Sequence, residues 1–106
     1  MGIFSKPIEF EWDAGNSQKN LLKHRVFQRE SEESFFDRYR KMWKDTPHSA
    51  GELRYILLGQ VKKRKILFVA FTIRGRRVRI ISARDANKKE RSMYVQAKKA
   101  KKISPA

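Results

Sequence analysis

The first third of the chain carries a strand pattern followed by two helix patterns. Apolar and acidic residues alternate over residues 8–12, as they do in a strand that has one face in water. Asp13 and Asn16 can cap a short helix that we place at about residues 14–25. A second helix is predicted over about residues 29–40. The side chains that it offers to the core are Phe35, Phe36 and Tyr39.

The middle of the chain has the patterns of consecutive strands. Residues 42–45 are strand-like, and the loop-forming residues at 46–51 predict a chain reversal after them. Three β-rich runs follow, separated by two short basic segments that suit hairpin turns. The runs are residues 53–61, 66–73 and 77–83. Residues 66–71 are apolar at both alternating positions, which predicts a central strand that is buried on both faces.

The chain ends in a helix pattern. Asn87 can cap a helix at about residues 87–99, with Glu90 reaching back to its backbone N–H in a variant of the capping box. Residues 100–106 are predicted to form a basic flexible tail. The patterns together indicate one α+β domain over residues 1–99. In this fold class, an antiparallel sheet of four to five strands packs with two N-terminal helices and one C-terminal helix.

Composition excludes several classes of protein. No window is long and apolar enough for a transmembrane helix, and the N-terminus lacks the apolar core of a signal peptide. The chain contains no cysteine, so disulfides, thiolate metal sites and cysteine nucleophiles are excluded. We therefore expect a cytoplasmic protein that does not associate with membranes.

Charge is concentrated in the second half of the chain. The formal net charge of the 106 residues is +15. Residues 1–60 contain 10 Lys or Arg and 9 Asp or Glu, a net charge of +1, whereas residues 61–106 contain 16 and 2, a net charge of +14. This concentration favours a partner that carries phosphates or carboxylates. A basic helix on a membrane surface is disfavoured, because the cations interleave with strand-like apolar runs.

The residues of the basic half favour chemistry on RNA without a metal. A two-metal nuclease needs several clustered carboxylates, but only Asp85 and Glu90 are acidic in this half, so we expect no metal and no other cofactor. Arginine forks bind phosphate bidentately and can stabilise a pentacoordinate transition state. RNA supplies its own nucleophile, the 2′-hydroxyl. A non-enzymatic nucleic-acid-binding module would use the same residue types, and composition does not choose between these two functions.

A series of short motifs runs through about residues 9–95. They are Phe10-Glu11-Trp12-Asp13, Asn20-Leu21-x-Lys23-His24-x-Val26, Phe35-Phe36-Asp37, His48-Ser49-x-Gly51-Glu52-x-Arg54-Tyr55-Ile56-x-Leu58-Gly59, Leu67-Phe68-Val69, Arg79-Ile80-Ile81-Ser82-Ala83-Arg84 and Ala86-Asn87-x-x-Glu90-Arg91-x-x-Tyr94. In this order the motifs resemble those of the BrnT toxin family. The chain departs from the family pattern at Arg25, where Gly is usual, and at Arg38, where Pro is frequent.

The resemblance implies both a fold and a function. The fold is that of RelE-like ribonucleases, and the activity is cleavage of RNA that slows translation. The resemblance also implies a type II toxin–antitoxin system in which a BrnA-type antitoxin, acidic or DNA-binding and encoded by an adjacent gene, binds the toxin tightly. We expect the complex of toxin and antitoxin to be an oligomer of higher order.

Five residues are predicted to carry catalysis. Arg79 and Arg84 are the first candidates for contacts with the phosphate and the transition state, and Arg54 follows. Tyr94 can donate a hydrogen bond or stack on a base, although a position in the core explains it equally well. His48 ionises near working pH and is the candidate for proton transfer. The residues predicted to bind RNA are Arg64, Lys65, Arg74, Arg76 and Arg77.

Overall fold

A computed structural model describes residues 8–13, 26 and 28–103 of the chain. Within these residues the chain forms five strands and two α-helices. The strands are β1 (Glu9–Glu11), β2 (Lys41–Lys44), β3 (Arg54–Val61), β4 (Lys65–Arg74) and β5 (Arg77–Asp85), and the helices are α1 (Gln28–Ser34) and α2 (Lys88–Ile103). The helix predicted over residues 14–25 lies outside the described residues.

The five strands form one sheet in the order β1-β5-β4-β3-β2. Strands β2 to β5 pair antiparallel, as predicted, and β4 lies at the centre with most of its residues buried. β1 instead pairs in parallel with β5, so the expectation of a wholly antiparallel sheet is wrong at this edge. Two parallel neighbours need a long connection, and the elements between β1 and β5 supply it. The alternation of apolar and polar residues in β1 does not show in which direction this strand runs relative to its neighbour. The predicted α+β class is confirmed.

One face of the sheet carries the main hydrophobic core, and we call it the core face. Leu57, Val69 and Phe71 are fully buried there, on β3 and β4. α1 lies over this face, and Phe35, just after the helix, contributes a buried ring. The rings of Phe35 and Phe71 pack edge to face, with their centroids 4.9 Å apart. Burial of these aromatic and aliphatic groups is the main stabilisation of the fold.

Helix α1 ends at Ser34 and not near residue 40, as the sequence predicts. The chain turns because the carboxylate of Asp37 accepts a hydrogen bond from the N–H of Tyr39 at 3.0 Å. Such side-chain bonds to the backbone compete with helical hydrogen bonds. Phe35 is buried as predicted, but Phe36 is 63% exposed, so its predicted place in the core is wrong.

α1 lies directly on β3 at Gly59. A Cβ at this position would overlap the backbone oxygen of Ser34 and would lie 2.9 Å from the Cβ of Ser34. Only glycine allows the helix and the strand to approach each other this closely. The side chain of Ser34 is itself fully buried, and its hydroxyl donates a hydrogen bond to the backbone oxygen of Ser31 at 2.7 Å.

The opposite face of the sheet is covered at one end by α2. Tyr94 of α2 packs with Leu58 and Ile66 in a second buried cluster. The start of α2 confirms the predicted capping box. Asn87 Oδ1 accepts the N–H of Glu90 at 2.8 Å, and Glu90 Oε1 accepts the N–H of Asn87 at 2.9 Å.

Helix α2 continues to Ile103, beyond the end that the sequence predicts at residue 99. Residues 100–103 of the predicted flexible tail are therefore helical, which agrees with the high helix propensity of alanine and lysine. Residues 104–106 lie outside the described part of the chain. Neither α1 nor α2, the helices of the described residues, is suited to span a membrane.

Candidate active site

Pairing across the sheet shows which arginines lie together, because residues opposite one another on antiparallel strands point to the same face. Arg79 of β5 is opposite Thr72 of β4, and Thr72 is opposite Arg54 of β3. Glu11 of the edge strand β1 is paired with Arg79. These residues form a row on the face that does not carry the main core. Arg74 follows Thr72 by two positions on β4 and lies on the same face, which we call the arginine face.

A bulge in β5 adds Arg84 to the arginine face. Arg79 and Arg84 are separated by an odd number of positions, so a regular strand would place them on opposite faces. The pairing of β4 with β5 shifts by one residue and skips Ile81. Because of this extra residue, Arg84 lies opposite Phe68 and on the face of Arg79.

The guanidinium of Arg79 is held by two carboxylates. Its Nη1 and Nη2 donate to the two oxygens of Asp13 at 2.8 and 3.2 Å, and Nη1 also donates to Glu11 at 3.2 Å. The hydrogen bonds to Asp13 raise the pKa of Arg79 above its ordinary value, so the side chain is charged at any physiological pH. A phosphate that binds this guanidinium bidentately must therefore displace a carboxylate.

Arg74 has a similar arrangement beside Arg79. Its Nε and Nη2 donate to Glu52 at 2.9 and 3.2 Å, and its Nη1 donates to Glu11 at 3.3 Å. The hydrogen bonds to Glu52 raise the pKa of Arg74, and the same contact lowers the pKa of Glu52. Glu11 thus links the two arginines into one network of alternating charge.

Arg84 is fixed between a ring and a carboxylate. Its Nη1 and Nη2 donate to the two oxygens of Glu90 at 2.8 and 2.9 Å. These hydrogen bonds raise the pKa of Arg84 and lower the pKa of Glu90. The guanidinium lies 4.0 Å from the centroid of Phe68, within the range of a cation–π contact. Because Glu90 also caps α2, Arg84 is tied to the start of that helix.

Arg54 has a fixed backbone and a guanidinium nitrogen without a partner. Its N–H donates to Ser49 Oγ at 2.9 Å, and its backbone oxygen accepts the N–H of Asp45 at 2.8 Å. The Nε of Arg54 is buried and has no hydrogen-bond partner within the described residues. Buried donors of this kind are normally paired, so this nitrogen is a candidate donor to a ligand oxygen.

His48 lies on the loop that is bound to the backbone of Arg54. Its Nδ1 is 2.9 Å from Asp45 Oδ1, and its side chain is 68% exposed. A carboxylate at one imidazole nitrogen orients the ring and leaves the other nitrogen free to exchange a proton. The structure therefore places a group suited to proton transfer at the end of the sheet where Arg54 begins β3.

Tyr94 lies in the core and not on an exposed surface. Its side chain is only 2% exposed, and its hydroxyl donates a short hydrogen bond to Asp37. Burial raises the pKa of Tyr94 far above its ordinary value, and the hydrogen bond to Asp37 acts in the same direction. These contacts favour the structural interpretation of this residue, and we leave it out of the site proposed below.

The five residues predicted to bind RNA lie at the two ends of the sheet. Arg74, Arg76 and Arg77 lie at the β4–β5 turn, beside the row defined above. Arg64 and Lys65 lie at the β3–β4 turn. The length of β4 separates the two turns by roughly 30 Å, at the usual strand rise of ~3.3 Å per residue. Three of these residues are thus close to Arg79, whereas Arg64 and Lys65 lie at the end of β4 that is nearer to Arg84.

Sequence reasoning missed the carboxylates that hold the arginines, namely Glu11, Asp13 and Glu52. The signal that could have found them is the alternation of charge in β1 and β5. Glu9 pairs with Arg77 and Glu11 with Arg79, so acidic residues at every second position meet arginines at every second position. Complementary alternation of this kind favours neighbouring strands.

In the described part of the chain, no group of three or more His, Asp or Glu side chains is arranged to hold a metal ion.

The comparisons with known proteins identify the family. Residues 12–90 match the family described as the ribonuclease toxin BrnT of type II toxin–antitoxin systems, and this is well over half of the chain. Comparison with curated proteins gives no significant match. The chain therefore belongs to the BrnT family of ribonuclease toxins.

Proposed function

We propose that the protein is a metal-independent endoribonuclease that binds a phosphodiester of RNA on the arginine face. The observation that carries this proposal is that Arg54, Arg74, Arg79 and Arg84 share one face although they come from three strands. Several guanidinium groups on one surface can contact the non-bridging oxygens of one phosphate and stabilise added negative charge. The ribonuclease activity of the family supports the same substrate.

In the proposed reaction the 2′-oxygen of a ribose attacks the adjacent phosphorus. The bond between phosphorus and the 2′-oxygen forms while the bond to the 5′-oxygen breaks, which yields a 2′,3′-cyclic phosphate and a 5′-hydroxyl. Arg54 and Arg79 stabilise the additional charge on the phosphorane. A base takes the proton of the 2′-hydroxyl, and the leaving 5′-oxygen receives a proton. His48, oriented by Asp45, is our candidate for one of these two transfers.

The carboxylates around Arg79 have a place in this mechanism. In the free protein Asp13 and Glu11 hold the guanidinium in one orientation. An incoming phosphate has the same charge sign and a similar spacing of acceptor oxygens, so it can replace Asp13 without moving the arginine far. Orientation of a binding group before the ligand arrives reduces the entropy that binding costs.

The proposed role in the cell follows from family membership. As a ribonuclease toxin of a type II system, the protein has an antitoxin as its partner. We propose that the partner is of the BrnA type, that the two proteins form an oligomer of higher order, and that the free toxin slows translation by cutting RNA in the cytoplasm. Induced expression should then arrest growth, and co-expression of the antitoxin should restore it.

A cleavage assay tests the chemistry. Purified protein should cut single-stranded RNA in excess chelator, and a single 2′-deoxy substitution should block cleavage at that position only. Arg79→Ala should lower the cleavage rate by ~10²-fold, the usual cost of losing one preorganised charge donor. The matched control is Arg29→Ala, which removes an exposed arginine of α1, the helix that covers the core face on the opposite side of the sheet. Cleavage that stops in chelator, or that continues at the 2′-deoxy position, would contradict the mechanism.

A second candidate function is binding of nucleic acid without cleavage. It is favoured by the pairing of Arg74, Arg79 and Arg84 with carboxylates, because exposed cations elsewhere, such as Lys62 and Arg76, can contact the RNA backbone without displacing a carboxylate. In this case RNA should bind with an affinity that falls steeply with salt concentration, and no shortened product should form. Product formation by wild-type protein but not by Arg79→Ala would reject this alternative.

A further inference from the structure

A groove with a volume of about 850 Å³ lies between the first half of α2 and the edge strand β2. Three lysines line it, Lys41 from β2 and Lys88 and Lys89 from the start of α2. Met93 and Ala97, one and two turns further along the helix, are partly buried and supply apolar lining. We call this feature the lysine groove. It combines an apolar floor with a cationic rim.

The lysine groove differs in charge from the arginine face. On that face, Arg74, Arg79 and Arg84 each have a carboxylate partner. By contrast, across residues 8–13, 26 and 28–103, no ion pair includes Lys41 or the two lysines at the start of α2. The cations of the groove are therefore available to an anionic partner that brings its own carboxylates or phosphates.

The cross-strand pairing connects the groove to one end of the arginine face. Lys41 is opposite Leu58, Leu58 is opposite Phe68, and Phe68 is opposite Arg84. Lys41 and Arg84 thus stand on one row and on the same face of the sheet. Because α2 covers Leu58 and Phe68 between them, the start of this helix separates a molecule seated in the groove from Arg84.

We propose that the lysine groove is the docking site for an acidic amphipathic segment of the antitoxin. A type II toxin has a protein partner, and a toxin with a net charge of +15 is matched by an acidic one. The apolar side of such a segment would cover Met93 and Ala97, while its carboxylates would pair with the lysines of the rim. RNA could satisfy the lysines through its phosphates, but it would leave the apolar floor without a partner. The combination of floor and rim therefore favours a protein segment.

This docking position suggests how the antitoxin blocks the toxin. A segment that continues from the groove past Lys89 and around the start of α2 would reach Arg84, which is bound to Glu90 there, and would keep RNA from that end of the arginine face. Arg79 could keep its contacts with Asp13 and Glu11 in this complex. The antitoxin would thus act by excluding the substrate, without disturbing the ion pairs of the free toxin.

Binding of the antitoxin to charge-reversed toxins tests this proposal. The partner is the purified antitoxin encoded next to the toxin gene, and the toxin is the full chain, titrated calorimetrically at constant salt. The test variant is Lys41→Glu/Lys89→Glu. The matched control is Lys62→Glu/Lys99→Glu, which changes the net charge equally at two exposed positions that do not line the groove. The test variant should lose at least ~30-fold in affinity and the control less than ~3-fold, because interface charges matter most where they meet a partner.

Two further measurements make the outcome clear. Met93→Ala should also weaken antitoxin binding, by roughly tenfold, because it removes an apolar side chain that lines the groove. If the test and control variants weaken antitoxin binding equally, the proposal is wrong. It is also wrong if the test variant loses more affinity for a non-cleavable 2′-O-methyl RNA than for the antitoxin, since the groove then binds nucleic acid.

The variants must be shown to fold before their affinities are compared. The melting temperature of each variant shows whether it is folded. If Lys41→Glu/Lys89→Glu does not fold, Lys41→Ala/Lys89→Ala replaces it and Lys62→Ala/Lys99→Ala replaces the control, with the same expected order of affinities. The assay measures binding alone, so its outcome does not depend on whether the proposed cleavage mechanism is correct.

Discussion

Arg79 and Asp13 form a bidentate ion pair in which two guanidinium nitrogens donate to two carboxylate oxygens at 2.8 and 3.2 Å. Asp13 lies two positions after the end of β1, and Arg79 lies within the neighbouring strand β5. The pair therefore ties the chain after β1 to β5. The same fork of nitrogens is the one that would bind a phosphate. The strength of this pair therefore sets how easily RNA can reach Arg79.

Neutralising Asp13 should tighten the binding of RNA. In Asp13→Asn the amide is a weaker competitor for the guanidinium, so we expect the affinity for a 2′-O-methyl RNA to rise by about fivefold, which corresponds to ~1 kcal/mol for a partly exposed ion pair. The measurement is fluorescence anisotropy at low salt. Glu33→Gln is the control, because Glu33 belongs to α1 over the core face and, in the part of the chain that the structure describes, accepts only a backbone N–H, that of Lys62 at 2.9 Å. An unchanged or lower affinity in Asp13→Asn would show that Arg79 does not bind the phosphate.

Removing the hydroxyl of Tyr94 should reduce stability without changing the chemistry. The lost hydrogen bond ends on the carboxylate of Asp37, which also accepts the N–H of Gln60 at 2.7 Å, so Tyr94→Phe should lower the free energy of unfolding by ~2 kcal/mol. Urea denaturation measures this value. Tyr55→Phe is the control, since no hydrogen bond of the Tyr55 hydroxyl is present within the described residues. A cleavage rate that falls tenfold in folded Tyr94→Phe would instead support the catalytic role predicted from the sequence.

The same residue gives a prediction for alkaline pH. Burial raises the pKa of Tyr94 in the folded protein above its unfolded value of about 10. The folded state then holds its proton more tightly than the unfolded state, so the stability that Tyr94 contributes is full below pH ~10 and is lost as the pH rises further. The difference in stability between wild type and Tyr94→Phe should shrink above that pH. A constant difference up to pH ~11.5 would argue against a buried, neutral phenol.

Glu90 should contribute stability that disappears in acid. Its hydrogen bonds from Arg84 lower its pKa in the folded state, so its contribution is present above the unfolded value of ~4.3 and is lost as the pH falls below it. Glu90→Gln should lower the free energy of unfolding by ~1 kcal/mol near neutral pH, through loss of the ion pair and weakening of the cap. The control is Asp85→Asn, whose carboxylate is 64% exposed and 3.5 Å from Lys65. Equal stability of wild type and Glu90→Gln near neutral pH would refute the assigned contacts.

Gly59 and Gly75 should respond differently to alanine. In Gly59→Ala the new Cβ would collide with the backbone of Ser34, so α1 must move away from β3, and we expect a loss of ~3 kcal/mol. At Gly75, in the β4–β5 turn, the surroundings are open but φ is +61°, and the strain of alanine should cost ~1 kcal/mol. Thermal melts of both variants compare these costs. A larger loss in Gly75→Ala would mean that the contact at Gly59 can relax.

Local sequence patterns predict much of the sheet and of α2. The continuous run of apolar residues at 66–71 identifies β4 as the central strand, because such a run depends only on neighbours along the chain. The cap of α2 is equally local, since Asn87 and Glu90 are one turn apart. The end of α1 is less predictable from sequence. The carboxylate of Asp37 accepts the backbone N–H groups of Tyr39 and of Gln60, and Gln60 lies on β3, far along the chain.

The candidate site was predictable in its residue types but not in its pairing. The sequence indicates Arg79 and Arg84 through their charge and their position in the last predicted strand, next to the final helix. Their partners Asp13 and Glu90 come from the first and the last parts of the chain. The first of these pairs depends on the parallel pairing of β1 with β5, which no short stretch of sequence specifies. The distinction between an exposed and a buried tyrosine at position 94 likewise depends on how α2 packs.

The residue skipped in β5 makes the spacing of the strand as important as its composition. Deleting Ile81 would restore a regular repeat in which Ser82 follows Ile80 directly, so Arg84 would stay on the face of Arg79. Ala83 would likewise stay in the interior, opposite Val69. A related chain with a gap at Ile81 could therefore keep this surface, whereas a chain of the same length without the bulge would turn Arg84 toward the apolar side chains of the core.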